Sequence, residues 1–319
     1  MKALRVENNR LVLKEVPIPE VPSEALIRVV KSGICGTDLQ IINGYANFSG
    51  TIGHEFVGVV EAAPGRPEII GRRVVGEINA GCGACDLCRA GDPRHCAQRT
   101  VLGIKNRDGA HAEFLSLPAA ILFDVPDSVP DDSAVFVEPL AAALGITEQV
   151  EISSVTDVAV IGDGKLGLLC AFTLSLKSKG VVLIGKHREK LKLAENRGIE
   201  TSDASSAARL RATFDIVVEA SGSGTGFAAA LDLVRPRGKI VLKSTFSGYP
   251  TLDAWRMVVD EITIVGSRCG RFQPAIDMLA NGTINVSELI SDEFKLESGI
   301  AAIRRAGEKG VLKVLLSPG

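Results

Sequence analysis

The string Gly162-Asp163-Gly164-Lys165-Leu166-Gly167 lies between an apolar run at 157–162 and a helical pattern at 166–176. No other feature of the 319 residues restricts the fold as tightly. G-x-G-x-x-G alone is a weak signal, but between a strand and a helix it reads as a phosphate-binding turn. Gly162 permits the tight turn, Gly164 lets the backbone approach a pyrophosphate, and Gly167 lets helix and strand pack closely. The helix N-terminus at Lys165 and Leu166 turns amide donors toward the phosphates. Further apolar runs follow at 181–184, 214–218, 239–242 and 262–265, with a helical stretch at 188–197. Strand and helix alternating at this pace predict a doubly wound parallel sheet, a Rossmann nucleotide domain.

The end of the second strand bears on which cofactor binds. An NAD site usually carries Asp or Glu there, about 20 residues past the glycines, to hold the ribose 2′-hydroxyl. This strand ends Ile184-Gly185-Lys186-His187-Arg188. A carboxylate is missing at Gly185 and three potentially cationic residues follow, so a 2′-phosphate meets attraction and NADP(H) is expected over NAD(H). Ser221 follows the strand ending near Ala220, and Arg268 follows the last strand; both are expected near the cofactor, at the carboxyl edge of the sheet.

A second dense feature is Cys82, Cys85, Cys88 and Cys96, spaced C-x2-C-x2-C-x7-C, in a chain with seven cysteines in all. Four thiolates at such spacing build a closed tetrahedral zinc site. Because that shell is closed, its role is structural. The N-terminal third is otherwise rich in short β-like runs, at 26–30, 56–60 and 73–75, punctuated by Gly and Pro. Hydrophobic content of 46%, charged content of 23% and a net charge of −2 are ordinary for a globular protein. They give no electrostatic case for nucleic acid or an anionic membrane. The first residues lack a signal-peptide pattern, and no run approaches the roughly 20 apolar residues of a membrane span. A reducing cytoplasm fits free thiolates that bind metal.

Three polar segments remain: Gly33-Ile34-Cys35-Gly36-Thr37-Asp38, Gly53-His54-Glu55 and Phe136-Val137-Glu138-Pro139-Leu140. Spacing alone does not bring them together. In this order, however, C-G-T-D, G-H-E-x-x-G, the four-cysteine lobe, E-P-L and G-x-G-x-x-G resemble the medium-chain dehydrogenase/reductase superfamily. The match is closest to its zinc-dependent alcohol and polyol dehydrogenase branch and covers nearly the whole chain.

The resemblance implies a mainly-β, GroES-like catalytic domain at 1–137 and 268–319, with a zinc lobe at 81–96, and a Rossmann domain at 138–267. It implies Cys35 and His54 as catalytic zinc ligands. The third ligand is Glu138 or Glu55, with Glu138 favoured and Glu55 exchanging or supporting. Asp38 matches the position that orients the liganding histidine. Thr37 matches the hydroxyl that bonds the substrate alkoxide and starts a proton relay. Many relatives end that relay at a histidine three residues further on; here Gln40 stands there and cannot take up a proton near neutral pH.

The expected activity is therefore hydride transfer between an alcohol, or its aldehyde or ketone, and NADP(H), with two zinc ions per chain. The expected assembly is a homodimer or homotetramer in the cytoplasm. A reductase of a larger biosynthetic carbonyl compound and a non-catalytic nucleotide-binding redox sensor are the competing readings. Two zincs per chain favour an enzyme, one favours the sensor. Substrate identity is set by loops that the motifs do not describe.

Overall fold

The computed structural model describes residues 1–245 and 251–319. They form two compact units. Met1–Glu138 and Phe272–Gly319 make one; Pro139–Arg271 makes the other.

In the first unit, short strands alternate buried and solvated positions, as strands do when one face meets a core. A seven-stranded sheet runs in the order Leu122–Asp124, Arg73–Gly76, Glu55–Ala62, Ala25–Gly33, Lys313–Ser317, Ile290–Lys295, with Phe114–Leu117 also paired to Ala25–Gly33. The C-terminal strand lies antiparallel to Ala25–Gly33, with Leu315 opposite Gly33. Leu4, Ile34, Ile41 and Ile52 thus share one core with Leu296, Ile303, Val314 and Leu316 from the tail. A small hairpin-like pair, Asn79–Ala80 with Thr100–Val101, frames the cysteine segment.

The second unit carries six parallel strands in the order Glu200–Asp203, Gly180–Gly185, Asp157–Ile161, Phe214–Glu219, Val234–Leu242, Thr263–Gly266. In chain sequence that is 3-2-1-4-5-6, the dinucleotide-binding order. The central strands are almost continuously apolar because helices cover both faces; Ala159, Ile161, Val182, Ile184, Val217 and Ile240 are all buried. The helix Lys165–Ser175 starts at Gly164, directly after the glycine turn. Among the elements that lie outside the periodic segments of the sequence are an edge strand and a helix. Glu200–Asp203 is a short edge strand of sequence ETSD with no apolar face. Gly224–Leu233 is a helix with two glycines in its first turn, capped by the Ser223 side chain accepting from Gly226 N–H.

Among the described residues, no helix is long and apolar enough to cross a membrane.

Candidate active site and its relatives

Cys35 is the N-cap of the helix Gly36–Ile42. Its backbone N–H donates to Asp38 Oδ2 at 2.8 Å, one half of a capping box that anchors the turn. Asp38 is fully buried and also accepts from Gly53 N–H at 3.2 Å. That second bond brings the segment holding His54 and Glu55 against the cysteine. Gly53 has φ of +96°, and a Cβ there would meet the His111 ring at 2.5 Å, so both conformation and space demand glycine.

As a result Cys35, His54 and Glu55 each offer a ligand atom, all within 4.8 Å of one another. Thiolate, imidazole and carboxylate together suit zinc. Two buried atoms in this group have no hydrogen-bond partner: His54 Nδ1 and Glu55 Oε1. An unpaired buried carboxylate oxygen is costly, and a cation at this point would satisfy it. The residues present therefore fit a metal ion.

Asp38 lies behind the histidines. Its Oδ1 is 3.6 Å from His54 Nδ1 and its Oδ2 is 3.5 Å from His111 Nε2. Burial by itself would raise the Asp38 carboxyl, but the facing imidazoles outweigh it and hold the group far below the usual carboxylate range. Burial by itself would lower His54, but the neighbouring Cys35 and Asp38 charges raise it well above the ordinary histidine value. His111 is fully buried and bonded to Ser32 Oγ at 2.9 Å; it packs behind the site as a structural group. Thr37 Oγ1 is 3.8 Å from Cys35 Sγ, beside the donor group.

The two glutamates differ. Glu55 is fully buried and its Oε2 is paired with Lys313 Nζ, itself fully buried. The ammonium also lies 5.3 Å from the Phe136 ring centroid, a cation–π distance. Sequence reading missed Lys313, a single lysine in the closing strand. Glu138 is not one of the three converging donors, yet it feels them. Burial, with Glu55 and Glu77 adding to it, raises its carboxyl to about 7 against the pull of His54 and Lys313.

The four cysteines gather as their spacing suggests, with sulfurs within 4.8 Å of one another and none in a disulfide. Cys85 Sγ and Cys88 Sγ are 3.5 Å apart. That is far beyond a disulfide bond and near the roughly 3.8 Å edge of a zinc–sulfur tetrahedron with bonds of about 2.3 Å. Backbone N–H groups of Ala84 and Cys85 lower the Cys82 thiol to about 6, favouring its thiolate. Burial raises Cys88 to about 11. Gly81 has no room for a side chain, since a Cβ would lie 2.6 Å from Cys88 Sγ. His95 in the same lobe is exposed.

In the other unit, the three glycines have three distinct surroundings. Gly162 has φ of +114° and abuts Ala220 and Ser221; a Cβ on Gly167 would collide with Gly162 O; Gly164 faces open space. The last is where a pyrophosphate can approach backbone. Lys165 and Leu166 form the first turn of the helix beyond it. Ser221 donates its N–H to Glu219 Oε1 at 2.8 Å, beside the turn. Arg268 is exposed, and its carbonyl accepts from buried Lys243 Nζ at 2.9 Å. Lys186 and Arg188 are exposed at the end of the strand Gly180–Gly185, and Arg188 pairs with Glu195 along its own helix.

Comparison with known proteins agrees with this architecture. The family description "Alcohol dehydrogenase GroES-like domain" matches residues 21–127, and "Zinc-binding dehydrogenase" matches 166–281. The chain is 35% identical to an L-threonine 3-dehydrogenase of Deinococcus deserti, over 85% of this chain and 84% of that protein. It is 32% identical to an erythritol/L-threitol dehydrogenase of Mycolicibacterium smegmatis, over 96% and 94%. A zinc-binding dehydrogenase from Sinorhizobium meliloti 1021, solved bound to NADP, superposes with a TM-score of 0.90 at 29% identity, covering 99% of each chain. The chain belongs to the zinc-dependent alcohol dehydrogenase family of the medium-chain dehydrogenase/reductase superfamily and is an oxidoreductase acting on alcohols.

Proposed function

We propose that this chain interconverts a small polar secondary alcohol and its carbonyl compound by hydride exchange with NADP(H), using a catalytic zinc at Cys35 and His54. The observation that most supports this is the convergence of Cys35, His54 and Glu55 donors in front of a buried Asp38. One thiolate, one imidazole and one carboxylate neutralise Zn2+ and leave a position for substrate. The carboxylate comes from Glu55 or Glu138. Glu55 has an unpartnered oxygen but is shared with Lys313, and a Glu138 carboxyl near 7 gives up its proton easily beside a cation.

Zinc bound there supplies a Lewis acid that acidifies an alcohol hydroxyl. The chain's own residues do the rest. Asp38 fixes the His54 ring by its charge and fixes the Cys35 backbone by a hydrogen bond. Thr37, whose hydroxyl both donates and accepts, receives the alcohol proton and passes it on. Gln40 does not take that proton, so it leaves to water or to a cofactor hydroxyl. Thr37→Val is expected to lower kcat by about 10^2–10^4 while KM and bound zinc stay near wild type; unchanged kcat would remove Thr37 from the relay.

A second zinc at Cys82, Cys85, Cys88 and Cys96 braces the lobe. The nucleotide unit uses Gly162, Gly164, Lys165, Leu166 and Gly167 for the pyrophosphate, with Ser221 and Arg268 nearby. The absence of a side chain at Gly185 and the cationic side chains of Lys186 and Arg188 favour the 2′-phosphate of NADP, with His187 beside them at the same strand end. The chain works as a homo-oligomer in a reducing cytoplasm, where its free cysteines persist. Relatives act on L-threonine and on erythritol or L-threitol. Those molecules share a secondary hydroxyl beside a second polar substituent, and we assign that class here. A panel of β-hydroxy amino acids, tetritols, simple alcohols and aldehydes, run with NAD and NADP, tests the reading. Turnover confined to unsubstituted primary alcohols would overturn the substrate class.

A further inference from the structure

Asp163 is the variable residue inside the glycine turn, yet its side chain is among the best-anchored groups of the nucleotide unit. Its carboxylate crosses to the end of the neighbouring strand Gly180–Gly185. There Oδ2 accepts from Lys186 N–H and from His187 N–H, both at 2.6 Å. His187 Nδ1 lies 3.0 Å from Oδ1 and 3.1 Å from Oδ2. The residue is 7% exposed. Gly185, the position that lacks its acidic side chain, explains how this is possible. A Cβ there would lie 2.5 Å from Asp163 Oδ2 and 2.6 Å from Asp163 Cβ. The volume that a side chain at 185 would occupy is filled by Asp163.

The carboxylate missing from the strand is thus supplied by the turn. At this point of the fold a carboxylate accepts the ribose 2′-hydroxyl of NAD, and cations or free amides receive the 2′-phosphate of NADP. Two backbone amides and an imidazole, the groups that would hold a phosphate oxygen, already hold Asp163. With Nδ1 of His187 as donor, three of the four acceptor positions of the carboxylate are used and one remains for a hydroxyl. Lys186 and Arg188 pull the other way, and Arg188 is shared with Glu195.

We infer that Asp163 is a specificity-determining residue: its carboxylate gives the ribose of NAD an acceptor and opposes the 2′-phosphate of NADP, which narrows the preference set by the cations. This rests on the reading of the turn as a dinucleotide site. Gly185→Asp alone then puts two carboxylates in one volume, so it is a poor probe of cofactor choice. The informative variants change residue 163.

The test is equilibrium binding of NADH and NADPH to the zinc-loaded protein, followed by reduced-nicotinamide fluorescence. Asp163→Asn keeps the shape and removes the charge. It is expected to shift the ratio of the two dissociation constants at least about tenfold toward NADPH, about 1.4 kcal/mol. Asp163→Ser gives the same direction if the asparagine variant is poorly folded. The double variant Asp163→Gly/Gly185→Asp returns the carboxylate from the strand and is expected to bring the ratio back near wild type. A ratio unchanged in both Asp163→Asn and Asp163→Ser, with circular dichroism and bound zinc intact, overturns the inference. The wild-type ratio tests the NADP reading separately. Tighter NADH binding by the wild type would end that reading, while a tenfold shift on removing the Asp163 charge would still uphold the role of Asp163.

Discussion

Cys35→Ala and His54→Ala are each expected to lower kcat/KM by about 10^3–10^4 or more and to leave one zinc per chain in place of two. The magnitude follows from losing a Lewis acid worth several kcal/mol of charge stabilisation. Neither change should unfold the protein. The turn at Cys35 is held by its backbone N–H on Asp38, which alanine retains. Gly53 N–H likewise keeps its bond to Asp38 in the His54 variant. The four-cysteine lobe serves as an internal reference, because its sulfurs are all drawn from residues 82–96. Metal analysis alongside steady-state kinetics checks both statements. Two zincs and full turnover in either variant would dismiss the assignment.

The second large effect concerns stability. In zinc-free protein, Lys313→Met is expected to cost about 3–5 kcal/mol, because it leaves the Glu55 carboxylate buried without its cation. For a unit of this size that corresponds to a fall in Tm of roughly 6–20 °C. The space on the Gly33 side of the pair is filled: a Cβ built on Gly33 would lie 2.6 Å from Val135 and 2.7 Å from Glu55 Oε2. Adding Glu55→Gln to Lys313→Met should recover most of the loss, since replacing both members of a buried pair is often close to neutral. Thermal unfolding of the single and double variants measures it. A Lys313→Met protein within about 1 kcal/mol of wild type would show that the pair is not what holds these strands together.

Legibility in the sequence followed distance along the chain. The glycine turn was readable because strand, turn and helix are contiguous, and each glycine meets a different local demand. The four cysteines were readable because one short loop supplies every sulfur. Cys35, His54, Glu55 and Glu138 stood out in polar segments that look like ligands, but only the family resemblance joined them into one site, since Asp38 links the first two segments through hydrogen bonds that spacing does not report. Glu138 was favoured over Glu55 as the third ligand; in the structure it is Glu55 whose oxygen converges with Cys35 and His54. Lys313 was invisible because its partner is 258 positions away. Asp163 was hidden for another reason: it occupies an x in the motif, and its importance depends on a glycine in the next strand.

The ion pair between Glu55 and Lys313 also sets an order of events during synthesis. At about 5–20 residues per second, ribosomal elongation separates the two residues by roughly 13–50 s. Throughout that interval the strand Glu55–Ala62 exists without Lys313–Ser317, the strand that brings its counter-charge. The nucleotide unit, drawn from the contiguous stretch Pro139–Arg271, is complete before the tail emerges. Pairing of the buried Glu55 carboxylate thus waits for the strand Lys313–Ser317, which makes closure of this core one of the later events in folding of the first unit.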